Sequence, residues 1–157
     1  MNQAIFLDRD NTIIIDKGYL KNPEEIEFIP GVLSALRSFQ DAGFILVMVS
    51  NQSGIGRGYF TESEYEAVHA RFVELLEANG IAFAGYYYCP HSPDDNCECR
   101  KPKPLMALKA ANELNIDLSE SYMIGDKDSD IEFGINSGAK ACFRSVQEFV
   151  ERIEKFR

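Results

Sequence analysis

The 157-residue chain carries 25 acidic and 16 basic side chains, a net charge of -9, with 45% hydrophobic and 26% charged residues. These are the proportions of an ordinary globular protein with enough chain to bury one core, and a single domain over 1–157 is expected. The acidic balance argues against nucleic acid or an anionic membrane as partner, both of which need a basic face, but not against a small phosphorylated ligand met by local cations.

In chain order, Ile5-Phe6-Leu7 reads as the end of a buried strand that opens abruptly into Asp8-Arg9-Asp10-Asn11-Thr12. Ala4–Leu7 is too short for a signal-peptide core, and no apolar run is long enough to span a bilayer, so the cytoplasm is the expected location. Arg9 to Pro30, punctuated by Gly18 and Pro23, reads as a loop. A helix from Gly31 to Ala42 places Val32, Leu36 and Phe39 on one face and stops at Gly43. Phe44 to Val49 is a second buried strand, ending in Ser50-Asn51-Gln52-Ser53-Gly54.

Thr61 and Glu64 form a capping box for a helix striped by Tyr65, Val68, Phe72 and Leu75 or Leu76, closed by Asn79-Gly80. His69 on that helix is expected at the surface. Ile81 to Tyr88 reads as a third strand, followed by the turn-rich stretch from Cys89 to Pro104 and a helix from about Leu105 to Leu114. A fourth strand, Ser121–Gly125, ends in Asp126-Lys127-Asp128-Ser129-Asp130; Ile131–Ser137 is helical, Lys140–Phe143 is a fifth strand, and Ser145 caps a last helix. Cys142 is expected to be a small core residue. Apolar strands alternating with helices predict a Rossmann-like α/β fold: a parallel sheet covered on both faces.

Ligands bind outside the carboxyl ends of such strands, so four polar clusters should gather along one sheet edge. They are Asp8/Asp10, Ser50/Asn51, the Cys/His stretch leading into Arg100-Lys101, and Asp126-Lys127. Singly each is a solvated loop or a cap; four together point to a site. Within the third, Cys89, His91, Cys97 and Cys99 supply three thiolates and an imidazole, the donor set of a closed tetrahedral zinc site. With every position filled by protein, that metal would be structural, pinning a loop too small for its own core and positioning Arg100 and Lys101.

The segments FLDRDNT, GYL, SNQSGIGRG, YYCPH, CECRKPKP and GDKDSD together resemble the haloacid dehalogenase-superfamily phosphatases. Within them, they resemble the small zinc-loop group that contains heptose bisphosphate and histidinol-phosphate phosphatases. The resemblance spans essentially the whole chain and implies the haloacid dehalogenase fold without a large cap domain. It implies Asp8 as nucleophile, forming an aspartyl-phosphate, and Asp10 as acid and base. Ser50 and Lys101 would bind the phosphoryl oxygens, and Mg²⁺ would be held by Asp8, the Asp10 carbonyl and Asp126. Substrate contacts would extend to Asn51, Arg100 and Lys127, and to Arg9, Gln52 and Ser53 beside the motifs. Asn11 stands where the family usually has glycine, a mild departure because asparagine tolerates left-handed backbone. An aspartate at position 10 also fits a phosphatase better than a transport ATPase, which has threonine there.

Two non-enzymatic readings are weaker. A receiver-type signalling domain wants its phosphoacceptor aspartate after the third strand, where Tyr88-Cys89 stand; a degenerate binding protein wants a lost motif residue. Substrate choice falls to Asp16, Lys17, Gly18 and Tyr19, to Gly54–Phe60 with Arg57, and to the metal loop. The five-residue spacer between His91 and Cys97 resembles the histidinol-phosphate enzymes. The other loops favour a heptose 1,7-bisphosphate attacked at its 7-phosphate, a step toward nucleotide-activated heptose for lipopolysaccharide. Lys17 and Arg57 add cations suited to a second phosphate. A monomer acting on this small sugar is expected.

Overall fold

The computed structural model describes residues 1–153. Among these, β1 Ala4–Leu7, β2 Ile45–Asn51, β3 Gly85–Cys89, β4 Tyr122–Ile124 and β5 Ala141–Phe143 form one sheet in the order β3-β2-β1-β4-β5. Every neighbouring pair is parallel, with Ile5 facing Leu46 on one side and Tyr122 on the other. Parallel pairing requires crossovers. The helices α1 Val32–Asp41, single-turn α2 Ser53–Gly56, α3 Glu62–Ala78, α4 Leu105–Leu114 and α5 Asp128–Ser137 lie along them, and α6 Val146–Arg152 follows β5.

All four residues of β1 are buried, and their alternation feeds two cores. Ile5 and Leu7 join Leu46 and Met48 against Val32, Leu36 and Phe39 of α1, Val68, Phe72 and Leu76 of α3, and Phe149 of α6. Ala4 and Phe6 join Val47 and Val49 against Met106, Ala107 and Ala110 of α4 and Phe133 of α5. Helices thus cover both faces, as the apolar strands require. The capping box of α3 has both bonds, Glu64 N to Thr61 Oγ1 at 3.0 Å and Thr61 N to Glu64 Oε1 at 2.9 Å. Among the described residues, no helix is long and apolar enough to cross a membrane.

Several expectations need correction. β2 runs on through Ser50 and Asn51, so these side chains are held by the sheet rather than by a loop. β3 begins at Gly85 instead of Ile81: Gln40 of α1 ties down the preceding stretch, accepting from Ala82 N at 2.7 Å and donating to Gly80 O at 3.1 Å. Helix α5 begins at Asp128, three residues before the expected Ile131. The turn α2 was hidden by its two glycines. It forms against the Cys/His loop, where Gly56 N donates to Pro90 O at 2.8 Å and a Cβ at Gly56 would lie 2.7 Å from Ser92 N. Residues 9–30 are more than a loop, for Ile13, Ile14 and Leu20 are buried and a 3₁₀ turn covers Pro23–Glu25. His69 is half-buried instead of exposed, stacked 5.9 Å from Tyr65 and edge-on to Tyr86 at 4.6 Å.

Gly134 lets α5 close on β4 and β5. A Cβ there would sit 2.3 Å from Cys142 Sγ and 2.9 Å from Met123 Cβ. Alanine in a helix interior gains about 1 kcal/mol over glycine in propensity, while overpacking a core costs about 1–3 kcal/mol. Gly134→Ala should therefore lower the Tm despite the better helix former, and Cys142→Ala should restore part of the loss in the double variant. Thermal unfolding of the four proteins reads this; a stabilised Gly134→Ala would contradict the packing.

Candidate active site

The chain runs outward from β1 through β2 to β3, then returns to β4 on the other flank of β1. This reversal makes a switch point beside β1, where an open α/β sheet places its ligand crevice. A polar pocket of about 90 Å³ lies there, lined by Asp8, Asp10, Asn51, Ser53, Arg100, Lys101, Lys127, Ser129 and Asp130. A larger cavity of about 650 Å³ between α1 and α6 is mostly apolar and holds none of these carboxylates.

Lys101 is the buried centre of the pocket, only 3% exposed. Its Nζ donates to Asp8 Oδ1 at 2.8 Å, to Asp130 Oδ1 at 2.6 Å and to the Val49 carbonyl at 2.9 Å, using all three ammonium protons. Burial works to lower its pKa, but the two carboxylates outweigh burial and hold the ammonium charged. For Asp8 burial dominates: even with Lys101 beside it, its pKa is pushed up to about 6, with Asp130 adding to the rise. The backbone of Lys101 is fixed as well, since its N–H donates to Asn51 Oδ1 at 3.0 Å and its carbonyl accepts from Asn51 Nδ2 at 3.3 Å. Asn51, expected to touch substrate, is thus engaged on the lysine backbone from the pocket wall.

Asp130 was missed. It occupies the first turn of α5, where an acidic residue reads as an ordinary helix start; its second oxygen accepts from Lys127 N at 3.1 Å. The signal was the spacing Gly125-Asp126-x3-Asp130, since a Cβ at Gly125 would sit 2.4 Å from Asp130 Cβ and Cγ. Glycine there is what lets the Asp130 side chain fold back onto Lys101.

Asp10 faces the same pocket. Arg9, expected to be a substrate contact, lies behind it, 1% exposed, and donates Nε and Nη2 to the two Asp10 oxygens at 3.1 and 3.3 Å. Gln52 is also buried, donating to Asp10 Oδ2 at 3.2 Å and to Ser50 Oγ at 2.6 Å. Ser50 is fully buried. Arg9, Ser50 and Gln52 therefore stand behind the pocket wall in this state. Asn11 adopts φ 63, so the left-handed backbone usually given to glycine is present here.

Two groups of side chains could hold metal ions. Ligand atoms of Asp8, Asp126 and Asp130 lie within 4.8 Å of one another. Asp126 Oδ1 is buried with no hydrogen-bond partner among the described residues. An orphaned carboxylate oxygen beside a second carboxylate that burial penalises is what a hard divalent cation would satisfy. In the second group, Cys89 Sγ lies 3.4 Å from His91 Nδ1 and 3.5 Å from Cys97 Sγ, and His91 Nδ1 lies 3.2 Å from Cys99 Sγ. A tetrahedral zinc bound by sulfur and imidazole spaces its ligands by about 3.4–3.8 Å, so the donor set fits. Burial pushes the Cys89 thiol well above its ordinary range, a penalty that a bound cation would remove.

The loop residues are more peripheral. Asp16 Oδ1 accepts from Gly18 N at 2.8 Å, and Lys17 Nζ is paired with Glu27 at 2.9 Å. Tyr19 packs on Tyr59 with ring centroids 4.5 Å apart, closing over Gly54. Arg57 Nε donates to Ser53 Oγ at 3.3 Å. None of Asp16, Lys17, Gly18, Tyr19 or Arg57 lines the small pocket.

Gly125→Ala should displace Asp130 from Lys101 while leaving the sheet formed. Displacing a group in the pocket by about 1 Å costs about 100-fold in rate, so the turnover the pocket supports should fall by that order. Activity and near-UV circular dichroism on the same sample read this; near-normal turnover would contradict the role given to Asp130.

A HAD-hydrolase-like family model matches residues 98–144, the segment from the second half of the Cys/His loop to the end of β5. The chain is 45% identical over 151 residues to the D-glycero-beta-D-manno-heptose-1,7-bisphosphate 7-phosphatase of Yersinia pestis, covering 90% of this chain and 80% of that protein. It is 45% identical over 147 residues to the Helicobacter pylori protein of the same name, covering 93% and 85%. Among solved structures, it superposes with TM-score 0.87 and 27% identity on the D,D-heptose 1,7-bisphosphate phosphatase of B. bronchiseptica, complexed with magnesium and phosphate, over 98% of each chain. Sequence identity over this share of the chain, on a sheet and pocket of this form, is decisive: the chain belongs to the D-glycero-β-D-manno-heptose-1,7-bisphosphate 7-phosphatase family of HAD-like hydrolases.

Proposed function

We propose that the chain removes the 7-phosphate of D-glycero-D-manno-heptose 1,7-bisphosphate by way of an aspartyl-phosphate on Asp8. The observation that carries this reading is the small pocket, in which two carboxylates from one strand end face Arg100, Lys101 and Lys127. A phosphomonoester repels an anionic nucleophile unless cations mask its charge, and here one lysine already touches the attacking carboxylate. Asp8 Oδ2 would attack phosphorus while Lys101 holds Oδ1 and fixes the carboxylate plane. Asp10, across the pocket, would protonate the departing alkoxide and then accept a proton from the water that hydrolyses the intermediate. Arg100 and Lys127 would bind phosphoryl oxygens, with Asn51 fixing the Lys101 backbone from the pocket wall and Ser50 bonded to Gln52 behind it.

Asp8, Asp126 and the Asp10 carbonyl would hold Mg²⁺, which when bound supplies the positive charge that draws the substrate phosphate to the nucleophile. Cys89, His91, Cys97 and Cys99 would hold a structural Zn²⁺. The loop they close bears directly on the pocket: Cys89 O accepts from Gln52 N at 2.8 Å, and Arg100 and Lys101 follow Cys99 immediately. In this reading the chain works as one phosphatase domain, a cytoplasmic monomer with neither nucleic acid nor membrane as partner.

The name borne by the relatives supports the heptose bisphosphate over histidinol phosphate. Of the two cations expected to favour a second phosphate, Lys17 is ion-paired with Glu27, whereas Arg57 has only a hydroxyl partner among the described residues. Phosphate release should show a higher kcat/KM on the heptose bisphosphate than on histidinol phosphate. Asp8→Asn should abolish release from both. A preference for histidinol phosphate would overturn the substrate, and an active Asp8→Asn would overturn the chemistry.

A further inference from the structure

We propose that Arg9 and Gln52 are positioning residues for Asp10: together they hold its carboxylate so that one lone pair, on Oδ1, remains to carry the transferred proton. This rests on the reading of Asp10 as acid and base, and concerns how that group is aimed.

A carboxylate has about four lone-pair sites in its plane. Three are taken here: Oδ1 accepts from Arg9 Nε at 3.1 Å, and Oδ2 accepts from Arg9 Nη2 at 3.3 Å and from Gln52 Nε2 at 3.2 Å. Guanidinium and amide NH₂ groups only donate, so none of those three sites can present a proton to substrate. The remaining site, among the described residues, belongs to Oδ1 of a side chain that lines the pocket, while Arg9 and Gln52 do not. The proton would therefore leave from one atom in one direction. As the phosphorus–oxygen bond breaks, it passes from Oδ1 to the departing oxygen; as water attacks the aspartyl-phosphate, a water proton returns to Oδ1.

Arg9 is itself held through Nε, Nη2 and its ring neighbour, while its Nη1 is buried with no hydrogen-bond partner among the described residues. It is 1% exposed, its guanidinium carbon lies 5.7 Å from the centre of the Tyr65 ring, and Nη2 also reaches Gln52 Oε1 at 3.4 Å. Asp10 is its ion-pair partner. A buried guanidinium is costly to desolvate, and a surface arginine could neutralise Asp10 without that cost. What burial adds is rigidity: a planar fork with no freedom to follow the carboxylate if it turns. Gln52 ties the arrangement to β2, since the same amide also donates to Ser50.

A positioning role for the proton predicts dependence on the leaving group. 4-Nitrophenolate departs without protonation, whereas a sugar alkoxide cannot. Arg9→Lys, Gln52→Leu and Asp10→Asn would each be followed by rapid quench with 4-nitrophenyl phosphate and with the heptose bisphosphate. The amplitude of the nitrophenolate burst counts correctly folded sites, so incomplete folding does not distort the comparison. Arg9→Lys should keep the burst rate and slow release from the sugar phosphate by about 10- to 100-fold, with a smaller loss for Gln52→Leu, which frees one oxygen only. If Asp10→Asn shows this selectivity but Arg9→Lys slows both substrates equally or neither, the positioning role is overturned and Asp10 stands. If Asp10→Asn is unselective, the acid–base reading fails and the inference with it.

Discussion

The site depends on one buried ammonium. Lys101 is more than nine-tenths buried and bonded to two carboxylates from opposite sides of the sheet's switch point, Asp8 after β1 and Asp130 in α5. Removing one partner from such a buried group of charges leaves the others uncompensated, at a cost of about 3–5 kcal/mol. The arrangement holds because each member is placed by something rigid. Asp8 is carried by the central strand, where its N–H donates to Ile124 O at 3.0 Å; Asp130 folds back over Gly125; Lys101 is clipped to β2 by Asn51. The charge count also explains the pull on a cation. Asp8, Asp126 and Asp130 face one lysine, and the Asp126 oxygen without a partner lies where a divalent ion would complete the set.

From this follows the importance of the Cys/His loop, which lies far from the chemistry in role but not in sequence. A lysine two residues after Cys99 can be held to a fraction of an ångström only if its loop is rigid, yet residues 90–100 have little core of their own. Four ligands drawn together within 4.8 Å supply what packing cannot, and the backbone of α2 pressed on Pro90–Ser92 extends that rigidity toward Gln52 and Asp10. The two halves of the pocket, Asp10 on one side and Arg100 and Lys101 on the other, are joined through one loop.

Much of this was legible in the sequence, and the parts that were not share a cause. Strand ends opening into Asp8, Ser50, Cys89 and Asp126 could be read because an apolar run that turns polar is a local pattern, and the Cys/His spacing is local too. The direction in which a side chain is turned is not. Arg9, Ser50, Asn51 and Gln52 were expected against substrate, and each is instead engaged with a neighbour: Arg9 and Gln52 on Asp10, Ser50 on Gln52, Asn51 on Lys101. Asp130 was overlooked because a first-turn acid is common in helices, and only the three-dimensional approach of Gly125 distinguishes it. The late start of β3 and the buried ring of His69 have the same origin, since Gln40, Tyr65 and Tyr86 act on them from other elements. Pattern reveals which residues meet; partners decide which way they face.

The central claim is that the Asp8 carboxylate, held by Lys101, becomes covalently phosphorylated. Rapid quench of the enzyme during turnover, followed by borohydride reduction and peptide mass spectrometry, tests it directly, because an acyl-phosphate is reduced to the alcohol and a free carboxylate is not. The account predicts homoserine at position 8 that rises and decays with turnover and is absent without substrate. Phosphate release with no reduction at position 8 at any quench time, or with the label at Asp10 instead, would contradict it.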